Sequence, residues 1–263
     1  MALTVASDEI RLAELAAERV TQLIIQAVAE RGTAWVSLAG GTTPRRLYAN
    51  LADGRQQWRD RIPWRQVHLF WSDERHVPPD HPDSNYGMAK AALLDRVPVP
   101  AQHVHRIRGE LPDAREAATA YEQELDRVAS ATTPTSVAPA FRRRDYSFDL
   151  MLLGLGEDAH IASIFPGSEL LMHKTEHRVA AVWASHLNAW RITLTPEAIL
   201  DSQSIVVLAA GHKKARALQA AINERLNVTT CPAQVLRSAG NRVEWFLDRF
   251  ISPERAASIP PSS

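Results

Sequence analysis

Residues 34–38, 67–71, 148–153 and 205–209 are short, nearly continuous apolar runs, and most give way to a glycine-bearing or charged turn and then to helical spacing. That alternation constrains the chain more than any other feature. A strand that is apolar on both sides must be buried on both faces, and strands separated by helices pair in parallel. The expectation is an α/β fold: a mostly parallel, doubly wound, Rossmann-like sheet with helices on both faces. It spans residues 1–263 as one domain, near the upper size for a single core.

The individual elements follow the same grammar. Ser7 is placed to cap a helix with Asp8 and Glu9 in its first turn, Ile10, Leu15, Val20, Leu23, Ile24, Ala27 and Val28 on its apolar face, and Gly32 as its stop. Thr43 and Pro44 read as N-cap and first residue of the next helix. Further on, helices are predicted over 84–97, 112–129 and 213–226, with strands over 103–107 and 191–194. Thr195-Pro196-Glu197 caps a short helix between strands. Residues 131–144, rich in Pro, Thr and Ala and ending in Arg142, Arg143 and Arg144, read as a solvated loop. No repeat at a solenoid period is visible.

Charge and cysteine content narrow the function. Thirty basic residues balance thirty acidic ones, so no global field recruits nucleic acid or a membrane, and an anion has to be held locally. One cysteine, Cys231, allows neither an internal disulfide nor a thiolate metal cluster and fits a reducing cytoplasm. The start of the chain lacks a basic segment before an apolar run, and no apolar stretch approaches a bilayer span, so a cytoplasmic protein is expected. A monomer or small homo-oligomer is expected as well.

Ligands of such folds sit outside the carboxyl ends of the strands, and four loops there carry chemistry. In the first, Gly40 and Gly41 allow close backbone approach, while Thr42, Thr43 and the following helix start offer donors to a phosphate. A plain strand-to-helix turn would use the same residues. The second, Ser72-Asp73-Glu74-Arg75, offers Arg75 as a bidentate phosphate partner and Asp73 to orient a hydroxyl or a histidine. A solvated charge cluster is the competing reading. In the third, Asp158 stands two residues before His160, an arrangement suited to general base chemistry near neutral pH. No second histidine lies at zinc-ligand spacing from His160. In the fourth, Lys214 opens a helix, where a cation costs a little unless an anion offsets it. Arg191, at the start of its strand, is a further phosphate candidate. No nucleophile elbow and no dinucleotide fingerprint is present, so neither a cofactor nor a metal is expected.

These loops together resemble the signature of the 6-phosphogluconolactonase family, within the group that also holds glucosamine-6-phosphate isomerases. The matching pieces are Ala39 to Pro44, Ser72 to Arg75 with Val77-Pro78 and Ser84-Asn85, Gly154 to His160, Arg191 to Thr195, Gly211 to Ala215 and Trp245 to Asp248. They stand in order over about residues 35 to 250. The resemblance implies a metal-free hydrolase that opens 6-phosphoglucono-lactone in the oxidative pentose phosphate pathway. His160 would be its base and acid, with Asp158 or Asp73 orienting it. Gly40, Gly41, Thr42, Thr43, Arg75, Arg191 and Lys214 would hold the phosphate. The related deaminases carry a glutamate where this chain has Phe165, which cannot transfer a proton. A sugar-phosphate deaminase and a non-catalytic binding protein are the alternatives. Two positions depart from the family: Ala159 and Ile161 replace a glycine and a threonine. If residue 159 has positive φ, alanine there costs on the order of 1 kcal/mol.

Overall fold

The computed structural model describes residues 1–132 and 147–251, so Arg142, Arg143, Arg144 and most of the loop expected over 131–144 lie outside the described residues. In chain order the elements are β1 (Ala2–Ala6), α1 (Glu9–Arg31), β2 (Ala34–Leu38), α2 (Thr42–Ala52), α3 (Trp58–Arg61), β3 (Val67–Trp71), β4 (Asp73–Arg75), α4 (Asn85–Ala92), α5 (Ala114–Thr132), β5 (Leu150–Gly154), β6 (Val179–Ala184), β7 (Ala189–Leu194), α6 (Pro196–Leu200), β8 (Ser204–Ala209), α7 (Ala215–Asn223) and β9 (Val243–Asp248).

Six strands form one sheet in the order β1-β9-β8-β5-β2-β3. Every pairing in it is parallel. β2 and β3 are buried at every position, as both-faced covering requires. The α/β expectation is met. β3 flanks β2 on one side and β5 on the other, so the chain reverses its direction of travel between β2 and β5.

Beside this sheet lies a second one that the apolar pattern does not announce: β4, β7 and β6, antiparallel, in the order β4-β7-β6. β4 is only Asp-Glu-Arg and carries no hydrophobic signal. The two sheets meet at Ser72, whose N–H donates to Leu38 C=O of β2 and whose C=O accepts from Leu194 N–H of β7, both at 2.8 Å. Edge strand β1, and β9 beside it, also escape a reading that looks for turn-bounded apolar runs.

Several boundaries differ from expectation for identifiable reasons. Asp8 rather than Ser7 caps α1: its carboxylate accepts from Arg11 N–H, and Ser7 donates its hydroxyl to Asp8. Ile10 is exposed, while Gly32 ends α1 in the left-handed conformation as expected. Gly41 stands at the N-cap of α2, so Pro44 is the third helical residue instead of the first. The helix expected over 84–97 stops at Ala92, with a 3₁₀ turn at Leu94–Arg96, because Pro98 disfavours helical geometry at Val97. The strand expected over 103–107 reduces to one rung, Leu69 beside Val104, preceded by a 3₁₀ turn. The segment then breaks away to Gly109, which packs against the backbone of Arg75 and Val77. The helix expected over 213–226 begins as a 3₁₀ turn, and α7 proper is Ala215–Asn223.

Two tyrosines finish neighbouring strands identically. Tyr48 Oη accepts from Ala39 N–H and donates to Ala39 C=O, both at 2.8 Å. Tyr121 Oη does the same for Trp71, at 2.8 and 3.0 Å. Each hydroxyl satisfies both backbone groups of a residue at a strand end, where the ladder stops and a buried unpaired group would be costly.

Behind β3 three histidines pack together. The rings of His68 and His103 stack at 3.9 Å. His68 Nδ1 lies 3.0 Å from His105 Nε2, and His105 Nδ1 lies 2.7 Å from Glu124 Oε1. Burial, then repulsion from His103, holds the His68 pKa down to about 4. Burial also lowers that of His105, against the pull of Glu124. A histidine that is neutral when folded and charged when unfolded makes the unfolded state bind more protons. The stability is therefore complete above the ordinary histidine value of 6.5 and is lost as the pH falls towards about 4. Urea unfolding at pH 7 and pH 5 is expected to show a loss of about 1–2 kcal/mol, and His68→Phe should shrink that difference. An unchanged midpoint in the wild type would refute the assignment.

Candidate active site

The carboxyl ends of β2 and β5, on either side of the reversal point, open on a cavity of about 360 Å³. Gly40, Gly41, Thr42, Thr43, Asp73, Arg75, His160, Arg191 and Lys214 all line it, so residues distant in sequence converge on one space. Asp158 does not line the cavity; it stands behind His160.

The first loop reaches the cavity through backbone. Gly41, with φ 102, turns the chain into α2, and no side chain caps that helix. Its first N–H groups therefore have no capping side chain. Gly40 is required for a different reason. A Cβ there would overlap the Asn85 carboxamide, which fills the space between the first and second loops. Asn85 Nδ2 in turn donates to the Asp73 C=O at 2.9 Å and to Asp73 Oδ1 at 3.2 Å.

On β4, side chains alternate. Asp73 and Arg75 face the cavity; Glu74 faces the start of α4. Glu74 Oε1 accepts from Arg75 N–H (2.8 Å) and Asn85 N–H (2.7 Å), and Oε2 accepts from Tyr86 N–H (2.8 Å) and the Ser84 hydroxyl (3.1 Å). Burial raises its pKa despite these donors. Glu74 thus anchors the loop rather than serving as a solvated charge, a role that its place between two cavity residues hides.

Arg75 and Arg191 are direct register partners across the β4–β7 ladder. Like charges placed opposite one another repel. The Arg191 pKa is lowered by burial first and by Arg75 second. Arg191 donates to the Trp190 C=O at 3.0 Å, and Arg75 to the Asp83 C=O. Lys214, from the 3₁₀ turn ahead of α7, is half-buried and makes no hydrogen bond or ion pair among the described residues. Burial lowers its pKa. Its loop is held by Asp248 at the end of β9, whose Oδ2 accepts from Gly211 N–H at 3.1 Å. The cavity lining carries three cations, Arg75, Arg191 and Lys214, against the carboxylates Asp73 and Glu157.

His160 Nδ1 lies 2.5 Å from Asp158 Oδ1. Burial pushes Asp158 up, but the side-chain hydrogen bond and charge of His160, with the backbone donors, together outweigh it and the net shift is down. The Asp158 carboxylate accepts, and Nδ1 of His160 carries the proton between them. Asp158, not Asp73, is the carboxylate in hydrogen-bond contact with the imidazole. Gly156 leaves room for this pair, because a Cβ there would overlap both the His160 ring and the Asp158 carboxylate. The Phe165 ring packs 4.8 Å from the His160 ring and is itself met edge-on by His186 at 4.7 Å. Among the described residues no cluster of three or more His, Cys, Asp or Glu is arranged to hold a metal ion.

The two unusual residues of this loop sit differently. Ala159 has φ 64 and Ala162 φ 48. Left-handed geometry costs a non-glycine residue about 1–2 kcal/mol, so strain brackets His160. Ile161 is fully buried in the apolar core, where a hydroxyl would need a partner. It does not line the cavity.

The profile of the family described as glucosamine-6-phosphate isomerases/6-phosphogluconolactonase matches residues 7–245. A 6-phosphogluconolactonase of Synechocystis is 37% identical over 90% of this chain and 91% of its own length. One from Streptomyces coelicolor is 37% identical over 99% and 97%. Among solved structures, 6-phosphogluconolactonase from Trypanosoma brucei superposes with a TM-score of 0.78 at 28% identity, covering 96% of this chain and 98% of that one. A monomeric glucosamine-6-phosphate deaminase shares the fold, with a TM-score of 0.77 at 20% identity.

The opposed arginines make a measurable claim. Inorganic phosphate should raise the melting temperature of the wild type. Arg191→Met should melt higher than wild type without phosphate, by relief of about 0.2–1 kcal/mol of repulsion, and gain less when phosphate is added. A variant that melts lower yet responds fully would show that the pair does not hold the anion.

Proposed function

The chain belongs to the family of glucosamine-6-phosphate isomerases and 6-phosphogluconolactonases, and we propose that His160 and the arginine ladder carry its reaction. That reaction is hydrolysis of 6-phosphogluconolactone to 6-phosphogluconate in the pentose phosphate pathway. The observation behind the assignment of roles is the Asp158–His160 pair opening onto the same cavity as Arg75, Arg191 and Lys214.

Arg75, Arg191 and Lys214, with the backbone donors of Gly40, Gly41, Thr42 and Thr43, hold the 6-phosphate. Asp73, buried at the cavity wall, accepts a sugar hydroxyl. Binding energy spent at the phosphate places the lactone carbonyl beside His160. Nε2 of His160 takes a proton from a water as its oxygen bonds to C1, giving a tetrahedral oxyanion. Asp158 stabilises the imidazolium so formed. As the oxyanion collapses, the bond from C1 to the ring oxygen breaks, and the imidazolium returns its proton to that oxygen. The products are a free hydroxyl and a carboxylic acid, which ionises.

Phe165 argues against deamination, since it presents a hydrocarbon face to the imidazole where a ring-opening acid would be needed. A cytoplasmic site of action and a monomer or small homo-oligomer complete the reading; no described helix is long and apolar enough to cross a membrane.

Enzymatically generated lactone, followed above its spontaneous hydrolysis, is the direct assay. His160→Ala is expected to fold normally and to lose roughly 100-fold or more in kcat. Near-normal turnover would remove His160 from the mechanism. Gly156→Ala should likewise lower kcat by displacing the imidazole, with KM little changed. Ammonia released from glucosamine 6-phosphate at a comparable rate would instead favour the deaminase reading.

A further inference from the structure

The turn after His160 directs one more side chain toward the reaction. Ile164 N–H closes onto Ile161 C=O at 2.9 Å, and Ala162, with its left-handed backbone, starts the turn. A non-glycine residue held there is strained, and such strain persists only where the surroundings enforce it. The result is that Ser163 points inward and is 1% exposed. Its hydroxyl donates to Asp73 Oδ2 at 2.6 Å, and its N–H donates to the Thr193 hydroxyl at 3.3 Å. Thr193 is the register partner of Asp73 in the β4–β7 ladder. One residue of the histidine loop thus sits on the cross-strand pair that contains the cavity carboxylate.

The other Asp73 oxygen is held less tightly, by Asn85 Nδ2 at 3.2 Å and the Ser72 hydroxyl at 3.4 Å. A hydroxyl donating to a charged oxygen at 2.6 Å is the strong contact of the set. Without it the carboxylate could turn about its last torsion, which is broad for aspartate.

We propose that Ser163 is a positioning residue, whose hydroxyl fixes the orientation of Asp73 and the spacing between that carboxylate and His160. The lone pairs of Asp73 left over by its protein donors then face the cavity at a set distance from the imidazole. This rests on the reading of Asp73 as acceptor of a sugar hydroxyl. That contact exists in the bound substrate and in the transition state alike, so its loss raises KM without lowering kcat.

The test is a double-mutant cycle on lactone hydrolysis with Ser163→Ala, Asp73→Asn and both together. Ser163→Ala is expected to raise KM about tenfold and to keep kcat within about twofold. The double variant should be no worse than Asp73→Asn alone. Ser163→Cys, nearly the same size and a weak donor, should repeat the Ser163→Ala defect, whereas a wild-type KM in that variant would mean that alanine acts only by emptying space in the turn and would overturn the proposal. A fall in kcat at unchanged KM would mean that Ser163 acts on the histidine, and additive losses would mean a merely structural role; either overturns the proposal. If Asp73→Asn itself alters neither constant, the reading of Asp73 fails, and the proposal fails with it, by a distinct signature.

Discussion

A sheet whose strands all run one way delivers every outgoing turn to the same edge, and the cavity exists because of that constraint. Where the order reverses between β2 and β5, the turns diverge and leave a crevice. Building a site there demands that strand ends finish cleanly, since any carbonyl or amide left unpaired would compete for the ligand's donors. Tyr48 and Tyr121 provide that finish at Ala39 and Trp71. Asn85 then fills the gap that Gly40 leaves open, joining the glycine turn to Asp73.

The same region concentrates costs that the rest of the fold must offset. Two arginines oppose one another across a ladder. Lys214 lies half-buried without an ion pair among the described residues. Two alanines hold left-handed backbone around the imidazole. Elsewhere β2 and β3 are buried throughout, and Asp8, Ser84 and Thr195 cap their helices with side chains. Local departures of this kind gather where function requires a group to be held against its preference.

Burial, charge and turn chemistry made much of this legible without coordinates. Ala34–Leu38 and Val67–Trp71 announce themselves because strands covered on both faces are mostly apolar, with Ser37 and His68 as the exceptions. His160 and Asp158 are close in sequence, so their pairing needs only a local turn. What could not be read is what long-range contact decides. Asp73-Glu74-Arg75 has no strand signal, and only its partner β7 makes it one. Glu74 looks like its charged neighbours until the alternation of a strand sends it to α4. Ser163 meets Asp73 across ninety positions of chain, and nothing in spacing predicts such a meeting. The histidines at 103 and 105 sit in a segment with strand-like alternation, yet stacking on His68 and a hydrogen bond to it replace the ladder.

Ser72 serves both sheets at once, its amide belonging to one and its carbonyl to the other. A strand repeats every two residues, so adding or deleting a single amino acid at this joint would exchange inner and outer faces downstream. The carboxylate of Glu74 would then look into the crevice, and both the acceptor and the guanidinium would look out. Point replacements can be absorbed here one at a time, but a change of length inverts the polarity of the site in one step. Over evolutionary time this stretch should therefore be closed to insertions and deletions, while the outer hairpins are free to lengthen.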